Sequence, residues 1–435
     1  MSGEPCWCFA PVGGNWNNGA NDGLFYWNLN NDSSNANANI GSRLLMVMNN
    51  HARYFPWRLP KISHKQVELV GNEKSIDDHK KMKRYDNIFD KIIDIKNIEK
   101  AIEKASKRKR NRKSVKKILE NKELYAELIS NLLKNNSYIP SPYAIQTIYD
   151  GTRHKERTIY KPRFFPDQII HWAVMLQIGD ILKKRFYYYS CASIKGKGTG
   201  LGIKATKKIT KTKYRYCLKM DIEKFYPNVD KEILKQKFRR VFKDERLLKL
   251  LDTIIDGNET QGTGIPIGNY CSQWFANFYL NDLDNFIKHE LKIKHYIRYM
   301  DDIVVFHTNK RKLRKTKDSI EECLAKEHLK IKPNWQLFDL NKRFLDFLGF
   351  RFYKTHTTLR RNNFLRPKRR AKKIYRKGYI SLKDASAMIS YNGLIKNSNC
   401  HGYLTKYINP YVSINRCKKV VSKNAKGEKN EINKQ

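Results

Sequence analysis

Residues 296–306 read Tyr-Ile-Arg-Tyr-Met-Asp-Asp-Ile-Val-Val-Phe, two β-favouring apolar runs interrupted by the adjacent carboxylates Asp301 and Asp302. The pattern predicts a buried hairpin with an acidic pair at its turn. Carboxylates among apolar neighbours shift to the neutral form unless a cation or a basic partner compensates them, and a divalent metal is the simplest compensation. Successive strand residues point to opposite faces, so both aspartates reach one site only if the chain turns there. Asp301 is therefore expected to be the main ligand and Asp302 the supporting one. A polar hairpin tip carrying two solvated aspartates is the competing reading of this segment alone.

A magnesium site needs oxygen ligands from more than one segment, because Mg²⁺ prefers octahedral oxygen coordination and keeps waters and substrate phosphates in its shell. Residues 214–221 (YRYCLKMD) read as a strand that ends in a carboxylate, and Phe225-Tyr226-Pro227 then breaks the pattern. Asp230, ahead of KEILKQKF, marks a helix start. Taken alone, Asp221 at a strand end also reads as a cap or turn residue. Two carboxylate-bearing strands side by side could hold two cations about 3.5 to 4 Å apart, as in polymerases and nucleases.

These residues resemble a known family. LKMDIEKFYPNVD (218–230) resembles the first palm motif of reverse transcriptases, and YMDD (299–302), about 80 residues later, is similar to their signature hairpin. Lys155-Glu156-Arg157-Thr158-Ile159 with Lys161-Pro162 and Phe165-Pro166-Asp167 resembles the fingers strand. CASIKGKGT (191–199) resembles the block leading into the palm, and GNYCSQWFANFYL (268–280) the template-side palm helix. Leu345 to Phe350 (LDFLGF) resembles the turn that supports the primer strand. The ordered set spans roughly residues 125 to 410.

The resemblance implies an α+β right-hand polymerase fold: fingers, a palm with an antiparallel sheet, and a small helical thumb. The expected divisions are a poorly ordered extension over 1–60, a basic helical lead-in over 61–125, fingers over 126–215, palm over 216–350, thumb over 351–420 and a disordered basic tail over 421–435. It implies that Asp221, Asp301 and Asp302 form the catalytic cluster, joined by the backbone carbonyl of Ile222 as a ligand for two Mg²⁺ ions, with Mn²⁺ as an alternative. Tyr226 matches the aromatic that stacks on the sugar and excludes a 2′-hydroxyl; otherwise it only closes the turn before Pro227. Arg157 matches the arginine that grips the incoming triphosphate, for which a bidentate fork suits phosphate oxygens. Lys155 and Lys161 are weaker nucleotide candidates, since in so basic a chain any lysine also reads as a solvated charge. Phe225, Gly268 and Gln273 complete the implied nucleotide contacts.

The palm-helix block departs from the usual family pattern, in which Gln-Gly is followed three residues later by Ser-Pro. Here Ile267-Gly268 precede Ser272-Gln273. That variant resembles the diversity-generating retroelement branch, in which the altered block accompanies low fidelity opposite template adenines. Ile267 has no side-chain amide to hydrogen-bond near the nascent pair, so a mispaired geometry would be less penalised. Ile267 and Gln273 are the implied fidelity positions.

Residues 13–43 contain ten asparagines, a density not repeated elsewhere. The segment resembles the variable region that such retroelements rewrite, whose asparagine codons carry the adenines where errors fall. It is read as a translated copy of the template repeat, although a disordered Asn-rich tail or a chain inflated in asparagine by genome composition would look alike.

A net charge of +45 with 12% aromatic residues points to a polyanionic partner. Lys107 to Lys113 (KRKRNRK) and Arg366 to Lys377 (RPKRRAKKIYRK) flank the motif core; each also reads as a localisation signal or a solvated face, but the context favours template, primer or structured-RNA contacts. The eight cysteines form no CxxC pairs or zinc-spaced sets, which fits a reducing cytoplasm. No apolar run reaches transmembrane length, and the first residues lack the pattern of a signal peptide. No endonuclease, RNase H or maturase extension is expected.

The expected function is an RNA-directed DNA polymerase that uses deoxynucleoside triphosphates, a primer and a template RNA, together with the small basic accessory protein of such retroelements. A retron or group II intron-like polymerase is the alternative, and a catalytically silent RNA-binding or defence scaffold the second.

Overall fold

The computed structural model describes residues 84–149, 156–257, 263–400 and 402–425. The Asn-rich extension over 1–60, the first part of the lead-in, Lys155 and residues 426–435 lie outside them.

The described part of the lead-in, from residue 84, is helical: α1 (Phe89–Ile93), α2 (Ile95–Ser106), α3 (Lys113–Glu120) and α4 (Lys122–Lys134). Asp94 starts α2 by accepting the Asn97 N–H at 3.0 Å. Ile98, Ala101, Ile102 and Ala105 then form one buried stripe. α4 buries Ile129 and Leu133 and runs on to Lys134, so the helical region passes the boundary drawn at 125. The fingers hairpin follows, β1 (Ala144–Tyr149) paired antiparallel with β2 (Glu156–Lys161), with Arg157 opposite Ile148. Against α2 packs α5 (Ile169–Arg185), an apolar helix that also buries His171.

Next come α6 (Thr199–Thr210), β3 (Tyr216–Asp221), α7 (Lys231–Arg239), α8 (Glu245–Asp256), α9 (Tyr270–Tyr279) and α10 (Asn281–Asn285). Asp230 caps α7, its carboxylate accepting the Ile233 N–H at 3.0 Å. β4 (His295–Tyr299), β5 (Asp302–His307), α11 (Lys310–Ala325) and β6 (Gln336–Asp339) complete the central layer. Its four strands run in the order β4-β5-β3-β6, every neighbouring pair antiparallel. Ile303, Val304, Val305 and Phe306 are all buried, so β5 is covered on both faces and reads as a continuous apolar run rather than an alternating one. α11 packs on β3 and β5, and α6 on β4.

A second antiparallel sheet joins β7 (Leu345–Phe347), β8 (Phe350–Phe352) and β9 (Thr357–Leu359). Leu348 and Gly349 connect β7 to β8 with φ of 51° and 78°, the double left-handed turn that matches strand twist. Leu348 fills the space left by Gly202 on α6, where an added Cβ would lie 2.6 Å from Leu348 Cδ1. The hairpin tip thus keys into the central layer.

The C-terminal part is α12 (Arg361–Lys377), α13 (Leu382–Lys396), α14 (Tyr403–Tyr407) and α15 (Ile414–Ala425). The sequence reading set a disordered tail from 421, and this is corrected: residues 421–425 continue α15, which packs on α13 and buries Cys417 and Val420. The basic composition of that helix hid an apolar stripe of low density.

His171 is buried, its Nδ1 has no hydrogen-bond partner, and burial pushes its imidazole down to about 3. The unfolded chain therefore takes up a proton that the folded chain refuses. Stability is full above the ordinary value of 6.5 and is lost as pH falls from there toward about 3. His171→Gln is expected to flatten the acid limb of urea-derived stability by up to about 3 kcal/mol between pH 6.5 and about 4. An unchanged slope would contradict a neutral buried imidazole.

Candidate active site

The pairing of β3 with β5 sets Asp221 directly opposite Asp302. Residues directly opposite across an antiparallel pair share a face, with Cβ atoms about 5 Å apart. One residue further, the Ile222 N–H donates to the Asp301 carbonyl at 3.2 Å. Met300 and Asp301 form the two-residue connection between β4 and β5, with Met300 at φ 53°. Asp301 therefore sits in a turn and escapes strand alternation, which is how both aspartates come to the same end of β3.

Three carboxyls in so small a space are electrostatically expensive, and the structure shows how the strain is distributed. Burial, then repulsion by Asp221 and Asp302, holds the Asp301 carboxyl well above the usual carboxylate range, and it is within hydrogen-bonding reach of Asp221. Asp302 is raised by burial and drawn back by Lys219. Lys332 forms an ion pair with Asp221, and its N–H donates to the Asp221 carbonyl at 2.8 Å. Lys219 Nζ lies 3.8 Å from Asp302 Oδ1 and donates to the Asp346 carbonyl at 2.8 Å, while Asp346 is ion-paired with Arg360. Neither lysine was singled out by sequence reading. The available signals were the i, i+2 spacing of Lys219 and Asp221 and the apolar flank of Lys332; neither reveals which strands meet.

Oxygen donors alone suit a hard cation such as Mg²⁺. Asp302 Oδ1 is buried without a hydrogen-bond partner, an acceptor that a cation would satisfy. Among the described residues no group of three or more His, Cys, Asp or Glu side chains closes into a ready-made cage, so backbone carbonyl, water or substrate oxygens would have to complete a shell.

Behind the turn lies a buried charge network that sequence reading also missed. Arg298 is fully buried in the apolar strand β4. Its Nε donates to Asp284 Oδ1 at 2.8 Å and its Nη2 to Asp284 Oδ2 at 2.5 Å, a two-pronged pair. Nη1 donates to Asn277 Oδ1 at 3.3 Å and to the Met300 carbonyl at 3.1 Å. Tyr296 Oη completes the shell of Asp284 at 2.7 Å. One guanidinium thus ties α9 and α10 to the backbone of the acidic turn.

The remaining predicted residues divide. Tyr226 is half-buried, and its hydroxyl points at Met300 Sδ, 3.9 Å away, so it stands beside the acidic turn. Phe225 is 3% exposed and packs on Tyr226 and Tyr279. Gln273 lies inside α9 at 5% exposure, within the helix core. Ile267 and Gly268 meet the fingers instead. The Ile267 carbonyl accepts the Tyr160 N–H at 2.8 Å, and a Cβ on Gly268, whose φ is 110°, would come within 2.9 Å of the Tyr160 carbonyl oxygen. That contact explains the glycine. Arg157 and Lys161 lie half-buried on β2, Lys161 hydrogen-bonded to Gln146. Lys155 lies outside the described residues.

Arg298→Met leaves Asp284 buried without its counter-charge, and the expected loss in urea-derived stability is about 3 to 5 kcal/mol. Adding Asp284→Leu should recover most of it, since removing both charges lifts the desolvation cost of each. A single variant as stable as the parent would show that the pair carries no such weight.

Comparison with known proteins places this geometry in a family context. Residues 154–352 match the family model described as reverse transcriptase (RNA-dependent DNA polymerase). No curated protein matches the chain. Among solved structures it is similar to apo telomerase from Candida tropicalis, truncated from its C-terminal domain (TM-score 0.38, 15% identity, 54% of this chain and 59% of that one). It is also similar to telomerase from Candida albicans in complex with a fragment of telomeric RNA (TM-score 0.40, 12% identity, 66% of this chain and 60% of that one). The chain thus spans about three-fifths of each of those chains. No described helix is long and apolar enough to cross a membrane. The family match identifies residues 154–352 as a reverse transcriptase domain, and the mixed helix and strand architecture with antiparallel sheets is that of a polymerase fold.

Proposed function

We propose that this chain is an RNA-directed DNA polymerase of a diversity-generating retroelement, copying a template-repeat RNA into cDNA with errors concentrated at adenines. The observation that carries the polymerase reading is the register that sets Asp221 opposite Asp302, one residue from the Asp301 turn, within the matched domain. The reaction joins a primer 3′-oxygen to the α-phosphorus of a deoxynucleoside triphosphate. The bond to the β-phosphate oxygen breaks, and pyrophosphate leaves.

Asp221, Asp301, Asp302 and the Ile222 carbonyl would hold two Mg²⁺ ions, with Mn²⁺ as an alternative. When bound, such ions activate the attacking hydroxyl and neutralise the leaving oxygens. The chain's own residues then position and compensate charge. Arg157, aided by Lys155 and Lys161, would grip the triphosphate, and Tyr226 beside the turn would stack on the sugar. Gly268 lets the palm loop approach the fingers strand. For Gln273 and Phe225 the burial described above makes an indirect role, through packing, the consistent one. The template RNA, a primer and a small basic accessory protein are the partners, in a reducing cytoplasm.

The retroelement reading rests on the Ile267-Gly268 and Ser272-Gln273 variant and on the Asn-rich residues 13–43, which lie outside the described residues. Ile267 is held by its backbone to β2, the strand that carries Arg157. An altered side chain there would act at a fixed place rather than on a loose loop.

In a primer-extension assay on an RNA template, the parent is expected to extend and Asp301→Ala to fall by about 10²-fold or more, while RNA binding is retained. Equal extension by both would overturn the assignment. Ile267→Gln should lower misincorporation opposite template adenine in sequenced cDNA; an unchanged error spectrum removes the fidelity role.

A further inference from the structure

The run of cations at Arg366 to Lys377 forms most of α12, and the fold divides it by face. Asn363, Pro367, Ala371 and Ile374 are buried against the body. Arg370 and Lys377, near that side, pair with Asp384 on α13 at 2.7 and 3.5 Å. Arg369, Lys372, Lys373 and Arg376 follow at i, i+3, i+4 and i+7 on the opposite face, all exposed, and together they line one concavity. None of these four has an acidic partner among the described residues. Asp384 neutralises Arg370 and Lys377, whereas the four outward cations have no counter-ion among the described residues, Lys372 Nζ standing 5.6 Å over the Tyr411 ring.

The C-terminal end of this stripe carries aromatic rings. Tyr375 is 65% exposed and touches Tyr411 edge-on at 5.8 Å; Tyr379 is 52% exposed. Gly378, left-handed at φ 73°, ends the helix and turns Tyr379 out. Large exposed rings next to uncompensated cations are what a flexible nucleic-acid strand needs: charge for its phosphates and π-faces for its bases. A duplex, with its bases stacked inside, would use only the charge.

We infer that the outward face of α12 is a docking track for a single-stranded nucleic-acid segment, with Arg369, Lys372, Lys373 and Arg376 on its phosphates and Tyr375 and Tyr379 on its bases. Along the axis the four cations span about 10 Å, roughly three steps of a stacked strand at 3.4 Å each. The inference rests on the polymerase reading only for the origin of the strand, a stretch of template or product outside the cleft.

The test uses the full chain and fluorescence anisotropy with three probes: an unstructured RNA of about twelve nucleotides, a DNA of the same sequence, and a blunt duplex. The variant Arg369→Gln/Lys373→Gln/Arg376→Gln is expected to reduce the slope of log affinity against log salt by about 2, from about 0.7 per single-strand phosphate contact. Tyr375→Ala/Tyr379→Ala should weaken single-strand binding about tenfold or more at unchanged slope and leave the duplex unaffected. Weakening for RNA alone assigns a ribonucleotide strand, and weakening for both assigns the shared backbone and base chemistry. Circular dichroism matching the parent's guards against unfolding. An unchanged slope in the first variant means a merely solvated face, and equal weakening of duplex by the second means a groove that reads charge only; either overturns the inference. Extension of a pre-annealed primer with a short template overhang is measured alongside for both variants. Loss of extension would put α12 in the catalytic cleft and overturn the track. A parent that fails to extend, with the binding differences intact, removes the polymerase reading and leaves this one standing.

Discussion

Asp221 faces Asp302 across the β3 and β5 ladder, and like charges directly opposite each other destabilise a sheet. Much of the surrounding architecture is arranged around that repulsion. Lys332 is paired with Asp221, Lys219 stands between Asp302 and the Asp346 carbonyl, and Asp301 relieves the crowding by holding its proton more tightly. A chain selected only for stability would have placed apolar residues at these positions, as it does along the rest of β5. Local consistency is given up at these carboxyls, the pattern expected of a functional site.

Such a site is useful only if its geometry does not relax. Here the constraint comes from beneath. Arg298 and Asp284 are fully buried, joined by two charge-assisted hydrogen bonds, and the same guanidinium holds the Met300 carbonyl. The acidic turn is thereby pinned through its Met300 carbonyl, while β4 and β5 clamp it with buried aromatic and β-branched side chains. Lys219 extends the frame outward, since its bond to Asp346 couples the central sheet to the second sheet, which in turn keys into α6 through Leu348 and Gly202. Fixed donors and dipoles of this kind need no rearrangement when charge develops nearby.

Much of this was legible in the chain. Apolar runs announced the β4 and β5 hairpin and the strand ending at Asp221, and Asp230 announced α7. The resemblance of the two acidic motifs to the polymerase palm implied one shared site. The burial of Phe225 was not legible, because it depends on Tyr279, a residue far along the chain whose ring packs against it. The helical course of residues 421–425 was hidden because the apolar positions Ile414, Cys417, Val420 and Val421 end at 421, and Ser422 to Asn424 carry no apolar period.

The sequence by itself determined the element types, the acidic residues and the basic character, since these follow from local propensity, periodicity and composition. Only the tertiary structure decided which cations answer which carboxylates, that Arg298 carries the turn, and which face of α12 stays uncompensated. Those pairings join residues far apart along the chain, and the energy of a charge depends on what stands a few ångströms away in space, a quantity that no local pattern encodes.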